Sequence, residues 1–230
     1  MTTATTMGFA ELPTLMSRMI GDEKHSAAAT STLDVLWVLY DRVLDTSPER
    51  AEDPRRDRFL LSKGHGPMAY YAVLAAKGFI DPDELGTWAS AGSRLGMHPD
   101  RMLVPGVEIA SGSLGHGLPI AVGTALGLRV LEPSPPRVVV LTGDAELDEG
   151  SNHEAIAFAA RSGLHGLTAV VIDNGSSTHG WPGGIARRFE VEGWAARTVD
   201  GRDHDALAAA FTEPHPRRPL AVVATIDPKD

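Results

Sequence analysis

A chain of 230 residues is long enough to bury one substantial core, and 43% apolar with 22% charged residues excludes a mainly disordered or fibrous protein. Thirty acidic against 21 basic residues give a net charge of −9, a field that repels polyanions, so nucleic acid is not an expected partner. With no cysteine the chain has no disulfide, thiolate metal ligand or Cys nucleophile, in accord with a reducing cytoplasm. Met1 to Leu15 lacks a basic n-region and an apolar h-region, and no later apolar run approaches the roughly 20 residues that span a bilayer, so neither export signal nor membrane anchor is expected.

In chain order, Leu33, Leu36, Trp37, Tyr40 and Leu44 recur at helical spacing and predict an amphipathic helix over Thr32 to Leu44, ended near Pro48. Charged residues Glu49 to Arg58 read as a solvated loop. Phe59 to Leu61 is a short apolar run before Ser62-Lys63-Gly64-His65-Gly66, and Pro67 suits the first turn of a helix through Ala76, which presents His65 at a turn-to-helix junction. Gly112-Ser113-Leu114-Gly115-His116-Gly117 runs into Leu118, Val122, Ala125 and Leu126 at helical spacing, with small residues between them that let this helix pack closely and set its N-terminus against a ligand.

Val138 to Leu141, Ala169 to Ile172 and Leu220 to Thr225 are continuously apolar rather than alternating, the pattern of strands buried on both faces. Helical stretches Asn152 to Arg161 and around His204 to Phe211 separate them, so the expected fold is α/β, a parallel β-sheet flanked by helices. We expect one domain over residues 1–230, with 1–14 as a loose N-terminal extension.

Ligands of an open parallel sheet bind beyond the carboxyl ends of its strands. There the sequence places Gly143-Asp144-Ala145-Glu146-Leu147-Asp148-Glu149-Gly150 after the first buried strand and Asp173-Asn174-Gly175-Ser176 after the second. Asp144 and Asn174 meeting across neighbouring strand ends suit a hard cation such as Mg²⁺ or Ca²⁺. The small residues beside Asp144 leave backbone N–H groups for phosphate oxygens. Taken alone, an Asp at a strand end such as Asp144 is usually a helix cap or turn residue.

Gly143-Asp144-Ala145, with Asn174 thirty positions after the Asp, resembles the thiamine-diphosphate fingerprint that opens Gly-Asp-Gly and closes in Asn. Leu61-Ser62-Lys63-Gly64-His65, Gly96-Met97-His98-Pro99-Asp100, Val104-Pro105-Gly106-Val107-Glu108 and Ser111 to Gly117 are similar, in order, to loops of the transketolase family over roughly residues 15 to 226. His25, nine positions before Asp34, falls where that family has its first active-site histidine.

The resemblance implies the thiamine-diphosphate-binding fold, with thiamine diphosphate and Mg²⁺ (or Ca²⁺) as cofactors and transfer of a two-carbon ketol unit from a ketose to an aldehyde as the reaction. It assigns the metal to Asp144, Asn174 and the main-chain carbonyl of Ser176, with Gly143 and the Ala145 N–H beside the diphosphate. Gly112 and Leu114 match positions that line the aminopyrimidine, and Glu149 matches a buried carboxylate near the cofactor and the subunit interface. His25, His65 and His98 match imidazoles that bind sugar hydroxyls and move protons, a task suited to a pKa of about 6.5; His65 also borders the cofactor. For His153, His165, His204 and His215 we expect solvated surface positions.

The sequence departs from the family pattern at several places. Lys24 and Ser26 flank His25, Met97 precedes His98, Ala145 replaces glycine, and His116 stands where glutamine is usual. If the fingerprint turn needs a left-handed residue, Ala145 would cost about 1 kcal/mol. The family's pyrimidine-binding domain, with the glutamate that activates the cofactor, is expected on a separate C-terminal subunit in an α₂β₂ assembly. Two alternatives stay open: the α subunit of a 2-oxo acid dehydrogenase or decarboxylase, and a catalytically silent scaffold.

Overall fold

The computed structural model describes residues 7–20 and 30–226. Five parallel strands form one sheet in the order β1-β2-β3-β5-β4: β1 Arg58–Leu61, β2 Val138–Gly143, β3 Leu167–Asp173, β4 Ala195–Asp200 and β5 Leu220–Thr225. Registers such as Leu61 beside Leu141 and Gly143 beside Ile172 bring the carboxyl ends of β1, β2 and β3 to one edge. The expected α/β architecture is therefore present.

Alternate strand residues face opposite ways, and the core divides accordingly. Phe59, Leu61, Val139, Leu141, Val170, Ile172 and Val222 pack beneath α1 (Leu12–Met16), α2 (Leu33–Val38), α3 (Pro67–Ala76) and the helix His204–Thr212. Leu60, Val138, Val140, Ala169 and Val171 pack on the other face with α4 (Gly117–Leu131), α5 (Gly150–Arg161) and α6 (Gly184–Val191). Every residue of α3 is buried, so this helix has no polar face to show. Among the described residues no helix is long and apolar enough to cross a membrane.

Several expectations need correction. The helix expected over Thr32 to Leu44 continues past α2 as a π-turn, Leu39–Val43. β1 and β4 carry no reading as strands in the sequence: β1 is four residues long, and β4 is an edge strand whose Arg197 and Asp200 break the apolar run. The segment Glu49 to Arg58 is not a solvated loop throughout, since Arg58 opens β1 and Asp57 is buried, accepting from Asp45 N–H at 2.9 Å and from Arg137 N–H at 2.8 Å. The described part of residues 1–14 is not loose: Leu12 is fully buried in the core, and Phe9 meets the His204 ring edge-on at 4.6 Å. Apolar burial fixes that segment. His204 itself is no free surface residue, because Nε2 lies 2.9 Å from Asp34 Oδ1.

Candidate active site

Four loops gather at the carboxyl ends of β1, β2 and β3: Ser62 to Gly66, Gly112 to Gly117, Asp144 to Glu149, and Asn174 to Ser177. The first two touch through their glycines. A Cβ on Gly64 would stand 3.3 Å from Leu114 Cδ2, and one on Gly112, whose φ is +116°, would stand 2.9 Å from the His98 ring. His98 thus lies against Gly112, and His65 follows directly on the glycine that Leu114 covers. Both imidazoles belong to exposed residues. His25 lies outside the described residues.

Asp144 is almost wholly buried and surrounded by donors. Oδ1 accepts from Ala145 N–H at 2.9 Å and from Ser176 Oγ–H; Oδ2 accepts from Ser176 N–H at 2.7 Å and Ser177 N–H at 3.0 Å. Asp144 is the cap of a short 3-10 turn, Ala145–Asp148, as the plainer reading of the sequence allowed. It also faces the loop after β3 through Ser176 and Ser177. Ala145 is not among the residues with positive φ, so alanine carries no left-handed strain here. The expected cost of this departure from Gly-Asp-Gly is absent, although the Ala145 N–H points to its neighbour's carboxylate.

Asn174 Oδ1 is buried with no hydrogen-bond partner, a condition that ordinarily costs free energy unless an ion or water completes it. Asp173, at the end of β3, has its carboxyl pushed up by burial and by the nearby Asp144 carboxylate. The buried Asp144 carboxylate and the orphaned Asn174 amide oxygen are hard-oxygen groups of the kind that fit Mg²⁺ or Ca²⁺. No three His, Asp or Glu side chains converge among the described residues; the candidate set instead combines one carboxylate, one amide and one main-chain carbonyl. The Ser176 carbonyl belongs to an exposed loop residue.

Two buried ionic groups of this site were not singled out from the sequence. Lys63 lies with its stem across Gly143, where a Cβ would meet Lys63 Cγ at 3.5 Å, and its Nζ donates to His65 O at 2.7 Å. Burial lowers its pKa to about 8 against the raising pull of Asp144 and Glu146. Glu146 is the second. Burial pushes its carboxyl up, opposed by hydrogen bonds from Ser62, Gly115 and Gly143. The only sequence signal for either was its place inside a motif. Glu149, expected as the buried carboxylate, is exposed in the chain by itself and rests against Gly115, whose added Cβ would stand 2.6 Å from Glu149 Cβ.

Two N–H groups at the start of α4 are already taken. Gly115 N–H donates to Glu146 Oε1 at 3.0 Å and Gly117 N–H to Ser62 Oγ at 3.0 Å, so these donors are satisfied internally. A cavity of about 490 Å³ at the opposite, amino-terminal side of the sheet, lined by Arg137, His165, Phe211 and His215, contains none of the candidate residues.

Known proteins share the sequence pattern and the fold. Residues 20–226 match the family described as transketolase, thiamine diphosphate binding domain. A Rhodococcoides fascians protein named ferredoxin fas2 is 59% identical over 96% of this chain and 73% of its own length. The present chain has no cysteine with which to hold an iron–sulfur cluster, and about a quarter of that relative lies outside the match. One subunit of an apulose-4-phosphate transketolase from Actinobacillus succinogenes is 36% identical over 87% of this chain and 75% of its own. A solved transketolase from Pichia stipitis superposes with a TM-score of 0.79 at 24% identity, covering 94% of this chain but 36% of that one, a likeness of fold. With the family model matched over most of its length and the same fold found in a solved member, this chain belongs to the transketolase family and corresponds to its thiamine-diphosphate-binding domain.

Proposed function

We propose that the chain is the N-terminal subunit of a heteromeric transketolase-like enzyme that holds thiamine diphosphate through Mg²⁺ and moves a two-carbon ketol unit from a ketose donor to an aldehyde acceptor, in a specialised pathway. The observation that carries this reading is the pairing, on adjoining strand ends, of the buried Asp144 carboxylate with the orphaned Asn174 Oδ1. Asp144, Asn174 and the Ser176 carbonyl hold the metal, and Ca²⁺ is an acceptable substitute. Gly143 and Ala145 border the diphosphate. When bound, the cofactor supplies the carbon nucleophile that sugar C–C cleavage requires.

The rest of the chemistry belongs to the protein. His25, His65 and His98 bind sugar hydroxyls and transfer protons, and the proximity of His98 to Gly112 and of Gly64 to Leu114 supports a common cleft for His65 and His98. Gly112 and Leu114 line the aminopyrimidine through their backbone. Glu149, exposed here, faces a partner: a separate C-terminal subunit that brings the pyrimidine-binding domain and the activating glutamate, in an α₂β₂ assembly located in the cytoplasm. The Actinobacillus relative, named as one subunit of its transketolase, supports a two-chain arrangement. Small sugars are the substrates. A purely scaffolding role is disfavoured because Lys63, Asp144 and Glu146 are buried ionisable groups that a scaffold has no use for.

The test is calorimetric titration of thiamine diphosphate and Mg²⁺ into the chain with its partner, with Asp144→Ala and Asn174→Ala as controls, followed by a ketose and pyruvate assayed side by side. Metal-dependent binding lost in both variants and turnover of the ketose support the proposal. Binding with turnover of pyruvate alone would move the chain to the oxo-acid enzymes, and absence of binding by a folded complex would leave the scaffold.

A further inference from the structure

One side chain of the loop after β2 touches two of the other three loops at the head of the sheet. Glu146, 1% exposed, accepts through Oε1 from Ser62 Oγ–H, in the loop after β1, and from Gly115 N–H at 3.0 Å, in the loop before α4. Its Oε2 accepts from Gly143 N–H at 3.3 Å, at the end of β2. Its main-chain carbonyl accepts from Asn152 Nδ2 at 2.7 Å, on α5. Ser62 Oγ extends the link by accepting from Gly117 N–H at 3.0 Å, the first residue of α4.

The backbone is shaped to this arrangement. A Cβ on Gly117 would stand 2.2 Å from Ser62 Cβ, so the two loops approach to a distance that only glycine allows. The negative charge of Glu146 also lies beside the N-terminus of a 15-residue helix, where it is favoured. A buried carboxylate is tolerated only when donors surround it, and the donors here come from two loops that border the cleft and from the end of β2.

We propose that Glu146 is a positioning residue, a clasp that holds the loops carrying His65, Leu114 and Asp144 in one register and thereby sets the shape of the cofactor cleft. The proposal rests on the reading of that cleft as the thiamine diphosphate site. Glu146 takes the Gly115 N–H and Ser62 the Gly117 N–H, so neither of these two donors is free for the diphosphate.

Amide hydrogen exchange on the full chain assembled with its partner, paired with titration of thiamine diphosphate and Mg²⁺, tests it with Glu146→Ala, Glu146→Gln and Ser62→Ala. We expect E146A to speed exchange over 62–66, 112–117 and 143–146 together while residues 168–172 of β3 exchange as in the wild type. S62A speeds 112–117 and 143–146. E146Q, which keeps an acceptor for Ser62 and Gly115 but offers none to Gly143, recovers the first two segments and not the third. Cofactor affinity falls about tenfold or more in E146A and S62A and partly recovers in E146Q.

If E146A does not fold, S62A and E146Q carry the test. Faster exchange confined to 143–146, or coordinated loosening with cofactor affinity unchanged, would overturn the proposal. Coordinated loosening in variants of a wild type that binds no thiamine diphosphate would instead uphold the loop linkage and remove the cofactor reading.

Discussion

Replacing Lys63 by methionine should stabilise the unliganded chain at neutral pH. The lysine is 7% exposed, and burial takes its pKa from the ordinary 10.5 to about 8. A shift of that size represents about 3 kcal/mol by which folding disfavours the ammonium over the neutral amine. The sign follows from proton binding: below pH 8 both states are protonated and the folded state carries the whole penalty; between pH 8 and 10.5 the unfolded chain binds the extra proton, so stability rises with pH. Methionine keeps the stem that crosses Gly143 and removes the charge. It also leaves His65 O without the Nζ donor, a loss of about 1 kcal/mol. The net expectation for K63M is a gain of about 2 kcal/mol at pH 7.

Urea unfolding of the wild type and K63M at pH 7 and pH 9.5 reads this out. The wild type should recover about 2 kcal/mol relative to K63M between those values. Taking the difference between the two proteins cancels the buried Tyr40 and Tyr70, whose raised pKa values affect both chains alike at high pH. A K63M variant less stable than the wild type at pH 7, or a difference that does not change with pH, would refute the reasoning and mean that the ammonium is fully compensated in place.

Other substitutions probe separate parts of the argument. Asp144→Ala and Asn174→Ala should each weaken Mg²⁺-dependent cofactor binding by about a hundredfold with little change in far-UV circular dichroism, as isothermal titration would record. Ala145→Gly, which restores the family's fingerprint, should leave cofactor affinity within about twofold and lower stability by about 0.5–1 kcal/mol, because Ala145 has no left-handed strain to relieve. Gly112→Ala should cost at least about 1 kcal/mol in thermal unfolding and lower turnover of the assembled enzyme, since its Cβ would stand 2.9 Å from the His98 ring at a backbone angle that favours glycine. Leu12→Ala should cost about 2–5 kcal/mol in urea unfolding if residues 9–16 are part of the core.

Much of the fold is legible in the sequence because strands buried on both faces announce themselves as unbroken apolar runs. Val138 to Leu141, Ala169 to Ile172 and Leu220 to Thr225 are such runs, and each lies within an observed strand. Pro67 opens α3 as its lack of an N–H allows. The pairing of Asp144 with the loop beyond β3 could be read from motif spacing, since neighbouring parallel strands deliver their carboxyl ends to one edge. β4 was not legible: an edge strand buries only part of its surface and so tolerates Arg197 and Asp200.

What tertiary structure alone decided is which charges lose their water. Glu146 and Glu149 are both acidic residues in one short polar run, yet the first is buried among donors from two loops and a strand end and the second is exposed. Lys63 reads as one more charged residue until its stem is found lying across Gly143, 80 residues away in the chain. Sequence determines such residues' chemistry, but desolvation depends on what packs around them, and those neighbours come from loops that only the folded sheet brings together.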